Sequence, residues 1–239
     1  MNLLLLKQHQ FFSESSALLN KDQQQHIEKV LKLSSGDWLR VGLVDGNMGR
    51  AMVKLEGNSA IVEIEHLQTP PPPQLPLTLI LALPRPQMIK RILQTVACMG
   101  VEHLCLIQSS RVEKSFWQSP ALTDSAVEQQ LLLGLEQGVA TQLPKISKFQ
   151  RFRPFVEDCL NEIIKGKKSF IAHPGELPPC PSLETTQKGV MVIGPEGGFL
   201  EKEVSAFQGQ GAEVVQMGSR ILKVETAVTA MITKLYSLP

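Results

Sequence analysis

A chain of 239 residues holds one large domain or two modest ones, and its 43% apolar content is enough for a sizeable core. Lys and Arg number 24 against 23 Asp and Glu, a formal charge of +1, so no global basic field marks the chain for nucleic acid and any such surface must be local. Cys98, Cys105, Cys159 and Cys180 form neither a metal-ligand spacing nor a secreted disulfide framework, which predicts no metal, a cytoplasmic setting and cysteines that serve the core.

The opening MNLLLLKQHQFF lacks a basic leader, and its leucine run is too short for a signal segment or a membrane span, so it reads as a first strand. Residues 1–69 are dominated by short β-like pieces at Trp38 to Val44, Gly49 to Leu55 and Ser59 to Ile64. Asp45-Gly46-Asn47 and Glu56-Gly57-Asn58 supply hairpin turns between them. A helix over Lys21 to Leu33 interrupts the strands, and a compact barrel with one helix fits the pattern. Seven basic residues against eight acidic ones leave this barrel open to two readings, a solvated surface or an RNA grip.

Thr69-Pro70-Pro71-Pro72-Pro73 and Pro76 read as a stiff extended linker over 70–76 and a domain boundary; a proline-rich docking ligand would need a basic anchor that is missing. Residues 77–239 then alternate strand and helix, which argues for a mostly parallel sheet in an α/β domain. Leu77 to Leu83, Glu102 to Gln108 and Ser169 to Ala172 are expected strands. Gln87 to Met99, ended by Gly100, and Asp124 to Gln137 are expected helices. Local charge is more telling than the total: Arg85, Lys90 and Arg91 cluster, Arg111 and Lys114 follow the second strand, and Lys145, Lys148, Arg151 and Arg153 occur with no acid between Gln137 and Phe155. Such clusters suit RNA phosphates or are ordinary solvated faces.

The stretch from Gly189 to Ala227 carries the strongest functional signal. Gly189 to Ile193 reads as a buried parallel strand, followed by the turn Gly194-Pro195-Glu196-Gly197-Gly198 and a helix from Glu201. Glu213 to Gln216 reads as a further strand feeding the loop Met217 to Val224 and a helix from about Glu225. Two strand-to-helix loops at the carboxyl edge of an open sheet form a ligand site. Neither a Walker A nor a GxGxxG pattern is present, which removes nucleoside triphosphates and dinucleotides and leaves an adenosyl ligand or a purely structural turn.

GPEGG after a strand, with MGSRILKVETA about twenty residues later, resembles the RsmE family of ribosomal RNA methyltransferases in the SPOUT superfamily. The resemblance covers nearly the whole chain. It implies a PUA-like, RNA-binding β-barrel ahead of a trefoil-knotted methyltransferase domain, a homodimer, S-adenosylmethionine as methyl donor, and methylation of N3 of a uridine in small-subunit (16S) ribosomal RNA. Carried onto this chain, cofactor contacts are expected from Ala172, His173 and Pro174, from Ile193, Gly194, Glu196, Gly197 and Gly198, and from Met217, Gly218, Ser219, Ile221, Leu222 and Val224. His173 is expected to act through its backbone.

The family's Leu-Arg-Thr-Glu-Thr-Ala stands here as Leu222-Lys223-Val224-Glu225-Thr226-Ala227, its Glu-Leu-Gly-Val as Cys98-Met99-Gly100-Val101, and the arginine three residues after Gln137 is Ala140. These departures leave another RNA position, or a retired RNA-binding module, as rival readings. Because uridine N3 carries a proton at neutral pH, the expected catalytic set is Arg220 or Lys223 to stabilise the anion and Glu225 or Glu196 to orient or accept the proton, with Thr226 beside them. Arg85, Lys90, Arg91, Arg111, Lys114, Arg151 and Arg153 are the expected RNA contacts.

Overall fold

The computed structural model of the protein describes residues 2–57 and 59–237; Met1, Asn58 of the second expected turn and the last two residues of the expected second domain lie outside them. The chain divides into two compact units, Met1–Pro73 with Leu132–Leu143, and Gln74–Leu131 with Pro144–Pro239. Among the described residues no helix is long and apolar enough to cross a membrane.

In the first unit β1 (Leu4–Leu6) and β2 (Ser16–Leu18) precede α1 (Lys21–Gln25), which continues as a π-helix over His26–Leu31. Asn20 caps α1 by accepting the Gln23 amide at 2.9 Å. The expected helix over Lys21 to Leu33 therefore stops short, because Lys32 turns left-handed at φ 54°. β3 (Trp38–Leu43), β4 (Met48–Glu56) and β5 (Ser59–Thr69) follow, completing a mixed sheet of order β1-β3-β4-β5-β2 in which β1 runs parallel to β3 and the other pairs are antiparallel. Alternation places Val41, Ala51, Val53, Ala60 and Val62 on one buried face with Leu4, Leu6, Ala17 and Ile27. Gly49 lies at a register shift where a Cβ would come within 1.7 Å of the His66 carbonyl oxygen, so β4 and β5 can approach there only without a side chain.

The second unit begins with β6 (Leu75–Ala82), which starts inside the expected 70–76 linker and shortens the extended segment. It continues through α2 (Pro86–Cys98), β7 (Val101–Ile107), α3 (Asp124–Gly138), β8 (Lys145–Phe149), a short helical turn α4 (Phe152–Pro154), a π-helical turn over Phe155–Cys159 and α5 (Leu160–Ile164). Then come β9 (Lys168–Ala172), β10 (Gly189–Ile193), α6 (Glu201–Gly209), β11 (Glu213–Val215) and α7 (Val224–Leu235). Six strands form a wholly parallel sheet of order β11-β9-β10-β6-β7-β8. α2 has Pro86 at its first position and Gly100 left-handed at φ 72° just beyond its end; its buried stripe is Ile89, Ile92, Leu93, Val96 and Ala97. β8 and the helical stretch after it carry the segment expected only as a basic cluster. Cys105 and Cys180 are buried, whereas Cys159 is half-buried and Cys98 exposed, which corrects the expectation that all four serve the core; all are free thiols.

α3 is shared between the units, and Glu136 near its end belongs to the first. Its carboxyl is buried at 8% exposure, where Oε1 accepts the Leu5 amide at 3.3 Å, and burial pushes its pKa up to about 7 from 4.5. Between those two values the folded chain holds a proton that the unfolded chain has released. This contribution to stability is therefore complete below pH 4.5 and is lost as pH rises towards about 7, with a size of up to ~3 kcal/mol. Glu136→Gln keeps the acceptor for Leu5 and removes the ionisation, so in urea unfolding it is expected to be more stable than the parent at pH 8 and to converge with it near pH 4.5.

Candidate functional site

β9, β10 and β11 run parallel and end side by side, and their last residues, Ala172, Ile193 and Val215, form one wall of a cavity of about 240 Å³. Two loops and one helix complete it: the turn from Gly194 to Phe199, the loop containing Met217, Gly218, Arg220, Ile221 and Leu222, and Val224, Ala227 and Met231 of α7. Such a place follows from the topology, since parallel strands deliver their connecting loops to one edge.

The turn is built to be bare. Gly194 packs against the Phe199 ring so closely that a Cβ would lie 3.1 Å from it, Gly198 is left-handed at φ +75°, and the Gly198 amide donates to the Pro195 carbonyl at 2.8 Å. From outside, the Arg85 amide donates to Glu196 Oε1 at 3.3 Å, and the Arg111 guanidinium donates to the Gly197 carbonyl. The second loop is anchored where it leaves the sheet: the Gln216 amide donates to Pro178 O at 2.9 Å, and the Cys180 amide to Gln216 O at 2.8 Å. The Gly218 amide then donates to the Gln216 side chain. His173 extends the ladder beyond β9, its amide donating to Val215 O at 2.9 Å.

Ile193, Val215, Val224 and Met231 make an apolar floor, all buried, under a rim of glycine backbone. Glu196 and Arg220 are the formally charged side chains among the lining residues. An apolar floor with backbone amides and carbonyls around it suits a flat heterocycle read along its polar edge. Among the described residues no group of three His, Cys, Asp or Glu side chains is arranged to hold a metal ion.

Of the residues expected to touch a cofactor, thirteen line this cavity and Ser219 does not; it is exposed within the second loop. Of the expected catalytic residues Arg220 lines it. Lys223, Glu225 and Thr226 do not: Lys223 is the N-cap of α7, and the other two lie in its first turn between Val224 and Ala227, the positions of that turn that line the cavity. Pro195, Phe199, Val215, Ala227 and Met231 line it too, and sequence reading missed them. The signal that could have found Ala227 and Met231 is their spacing with Val224 on one face of α7. The expected RNA contacts Arg85, Lys90, Arg91, Arg111, Lys114 and Arg151 are exposed. Arg153 is exposed but paired with Glu157 at 2.7 Å, and Lys148 of the same cluster is bound to Asp124 at 2.7 Å.

Residues 70–236 match the model of a family described as RNA methyltransferase domain. Ribosomal RNA small subunit methyltransferase E of Treponema pallidum is 29% identical over 243 residues, covering 96% of this chain and 88% of that protein. Ribosomal RNA small subunit methyltransferase E 1 of Borreliella burgdorferi is 24% identical, covering 96% and 95%. The fold is similar to that of a ribosomal RNA small subunit methyltransferase E from Neisseria gonorrhoeae bound to S-adenosyl methionine, with a TM-score of 0.75 at 20% identity over 98% of this chain and 95% of that one. It is also similar to that of a putative methyltransferase from Legionella pneumophila in complex with the bound cofactor SAM, with a TM-score of 0.74 at 20% identity over 98% and 96%.

The conformation of the turn makes a test of opposite signs. Gly198→Ala forces a side chain into the left-handed region and is expected to cost about 1–2 kcal/mol in urea unfolding. Gly209→Ala, at the end of α6 with nothing within 4 Å of an added Cβ, is expected to gain up to about 1 kcal/mol.

Proposed function

Because the chain belongs to the RNA methyltransferase domain family across residues 70–236, we propose that it transfers a methyl group from S-adenosylmethionine to N3 of a uridine in small-subunit (16S) ribosomal RNA. The observation that carries this reading is the cavity at the ends of β9, β10 and β11, lined by the same two loops whose residues resemble RsmE. The relatives named as ribosomal RNA small subunit methyltransferase E, aligned along 96% of this chain, support the substrate class.

The residues present fit the cofactor. Ile193, Val215, Val224 and Met231 offer an apolar bed for adenine, and the bare turn at Gly194, Gly197 and Gly198 lets backbone approach closely. Space is open beyond Gly218, where an added Cβ would meet nothing within 4 Å. When bound, S-adenosylmethionine supplies an electrophilic methyl group. The protein's part is to hold donor and acceptor in line and exclude water, which the buried floor and two loops do.

Arg220, lining the cavity, stabilises the negative charge that develops on the uracil ring as N3 gives up its proton; Glu196, also on the lining, takes or orients that proton. Lys223, Glu225 and Thr226 then act indirectly, Glu225 suiting the positive end of α7. Arg85, Lys90 and Arg91, exposed along and just before α2, and Arg111, Lys114, Arg151 and Arg153 offer phosphate contacts. Arg85 is the one whose backbone is also tied to Glu196.

The same reading extends to the finer architecture. The first unit is taken as a PUA-like barrel over residues 1–69 that binds RNA, and residues 77–239 as a trefoil-knotted SPOUT domain; the insertion of β10 between β9 and β6, both earlier in the chain, supports such threading. A homodimer in the cytoplasm, working without a metal, completes the proposal.

Titration calorimetry should show S-adenosylmethionine binding, and Ala227→Leu, which fills part of the cavity, should weaken it at least about tenfold with an unchanged melting temperature. Ribosomal RNA from a strain lacking the protein should lose one N3-methyluridine from the small subunit; an intact methylation map would overturn the proposal. In single-turnover methylation Arg220→Ala and Glu196→Gln should each slow transfer about 100-fold, while Lys223→Ala and Glu225→Gln stay within about fivefold. The reverse order would return catalysis to the start of α7.

A further inference from the structure

Glu203 is the third residue of α6 and is 1% exposed, and no ion pair to it is found among the described residues. Its two carboxylate oxygens go to two backbone amides from distant parts of the chain. Oε2 accepts the Leu200 amide at 2.9 Å, which is an ordinary helix-start contact. Oε1 accepts the Ser110 amide at 2.7 Å, in the loop that follows β7. A helix start needs only the first of these bonds, so the second calls for a separate reason.

That reason lies one residue further on. Arg111 reaches back over the glycine turn, donating through Nη1 to the Gly197 carbonyl, and its stem lies so near that a Cβ on Gly197 would stand 3.0 Å from Arg111 Cδ. Gly197 and Gly198 line the cavity, whereas Arg111, Ser110 and Glu203 do not. The loop that carries Arg111 is held firmly elsewhere too. Ser109 is 1% exposed, the Gln108 side chain donates to the carbonyls of Ser109 at 2.7 Å and Val112 at 2.8 Å, and Trp117 Nε1 donates to Gln108 Oε1 at 2.6 Å.

We propose that Glu203 is a positioning residue: by fixing the Ser110 amide it sets Arg111 against the outer side of the turn and holds Gly194 to Gly198 closed around the methyl donor, without touching donor or RNA. The inference rests on the proposed function only for the identity of that donor. Glutamate is required because both partners are N–H donors. Glutamine presents one oxygen and one NH₂, so one buried amide would lose its acceptor and face another donor. Aspartate keeps both oxygens but falls one methylene short. Arg111, read from sequence as an RNA contact, gains a second duty as the bolt across the turn.

The experiment uses the full-length protein with Glu203→Gln, Arg111→Ala and the double variant. Amide hydrogen exchange without ligand reads the turn itself through the Gly198 amide, which donates to Pro195 O at 2.8 Å. Exchange there should quicken about tenfold in each single variant and no further in the double, since both changes release the same contact. S-adenosylmethionine affinity by calorimetry should fall about tenfold in each and likewise not compound. In Glu203→Gln, which leaves the Arg111 side chain in place, methylation kinetics should show a raised KM for the donor with an unchanged KM for RNA. Arg111→Ala removes an exposed side chain and will fold even if Glu203→Gln does not. Unchanged exchange at Gly198 in Arg111→Ala, or effects that multiply in the double variant, would overturn the proposal and leave Glu203 as a helix cap alone. If the parent protein binds no S-adenosylmethionine while the exchange pattern holds, the functional reading fails and the positioning role stands.

Discussion

A strand with neighbours hydrogen-bonded along both edges must find a slot one strand wide already framed on each side, and β10 is in that position. Gly189 to Ile193 pair with Lys168 to Ala172 on one side and Leu77 to Leu81 on the other, and all five residues are buried. Because each ladder is parallel, neither partner can be supplied by a tight turn, and both come from segments laid down earlier in the chain. The start of the strand is locked from the carboxyl terminus. Tyr236 Oη lies 2.7 Å from Gln187 O, and a side chain at Gly189 would meet that hydroxyl at 2.6 Å. With β10 seated, its far end presents Gly194 beside the end of β9, with the end of β11 on the other side of β9, and the cavity follows. The site is thus a consequence of where one strand is inserted.

Electrostatics in the second unit is local. Lys148 and Arg153, which look uncompensated along the sequence, find Asp124 and Glu157 in space, so the 145–153 cluster is less cationic than its spelling suggests. Inside the sheet the opposite holds. His103, with Ser147 Oγ 2.9 Å from its Nε2, is pushed down to about 4 by burial, with Lys145 and Lys167 adding to the effect, and is neutral at physiological pH. Charge useful for gripping a polyanion is therefore left mainly on the exposed arginines and lysines around α2 and the loop after β7.

Much of the fold was legible in the sequence. Elements with strong periodicity and clear punctuation, such as α2 between Pro86 and Gly100 or the apolar run of β10, appear where the residues place them. β8 was hidden because Lys145 and Lys148 dilute the apolar signal of an edge strand, and the 152–164 helical stretch because Pro154 and a π-helical turn break its period. In the site, the glycine turn and second loop announced themselves by residue type. The apolar lining did not, since Val215 and Met231 are indistinguishable in sequence from core residues. Contacts such as Glu203 with Ser110, separated by 93 positions, leave no local trace at all.

The division of α3 has a bearing on how the protein is made. Its last turns, with the segment up to Leu143, belong with the first 73 residues, tied to them by bonds such as Leu5 to Glu136 and Leu143 to Asp45 at 2.8 Å. A ribosome releasing this chain from its amino end therefore delivers the first sheet long before the piece that completes it. The amino-terminal unit waits, short of partners for Leu5 and Asp45, while β6, α2 and β7 of the other unit emerge in between. Cut at the proline run, it would be born permanently incomplete, so the two units are bound to a single act of synthesis even though each has its own core.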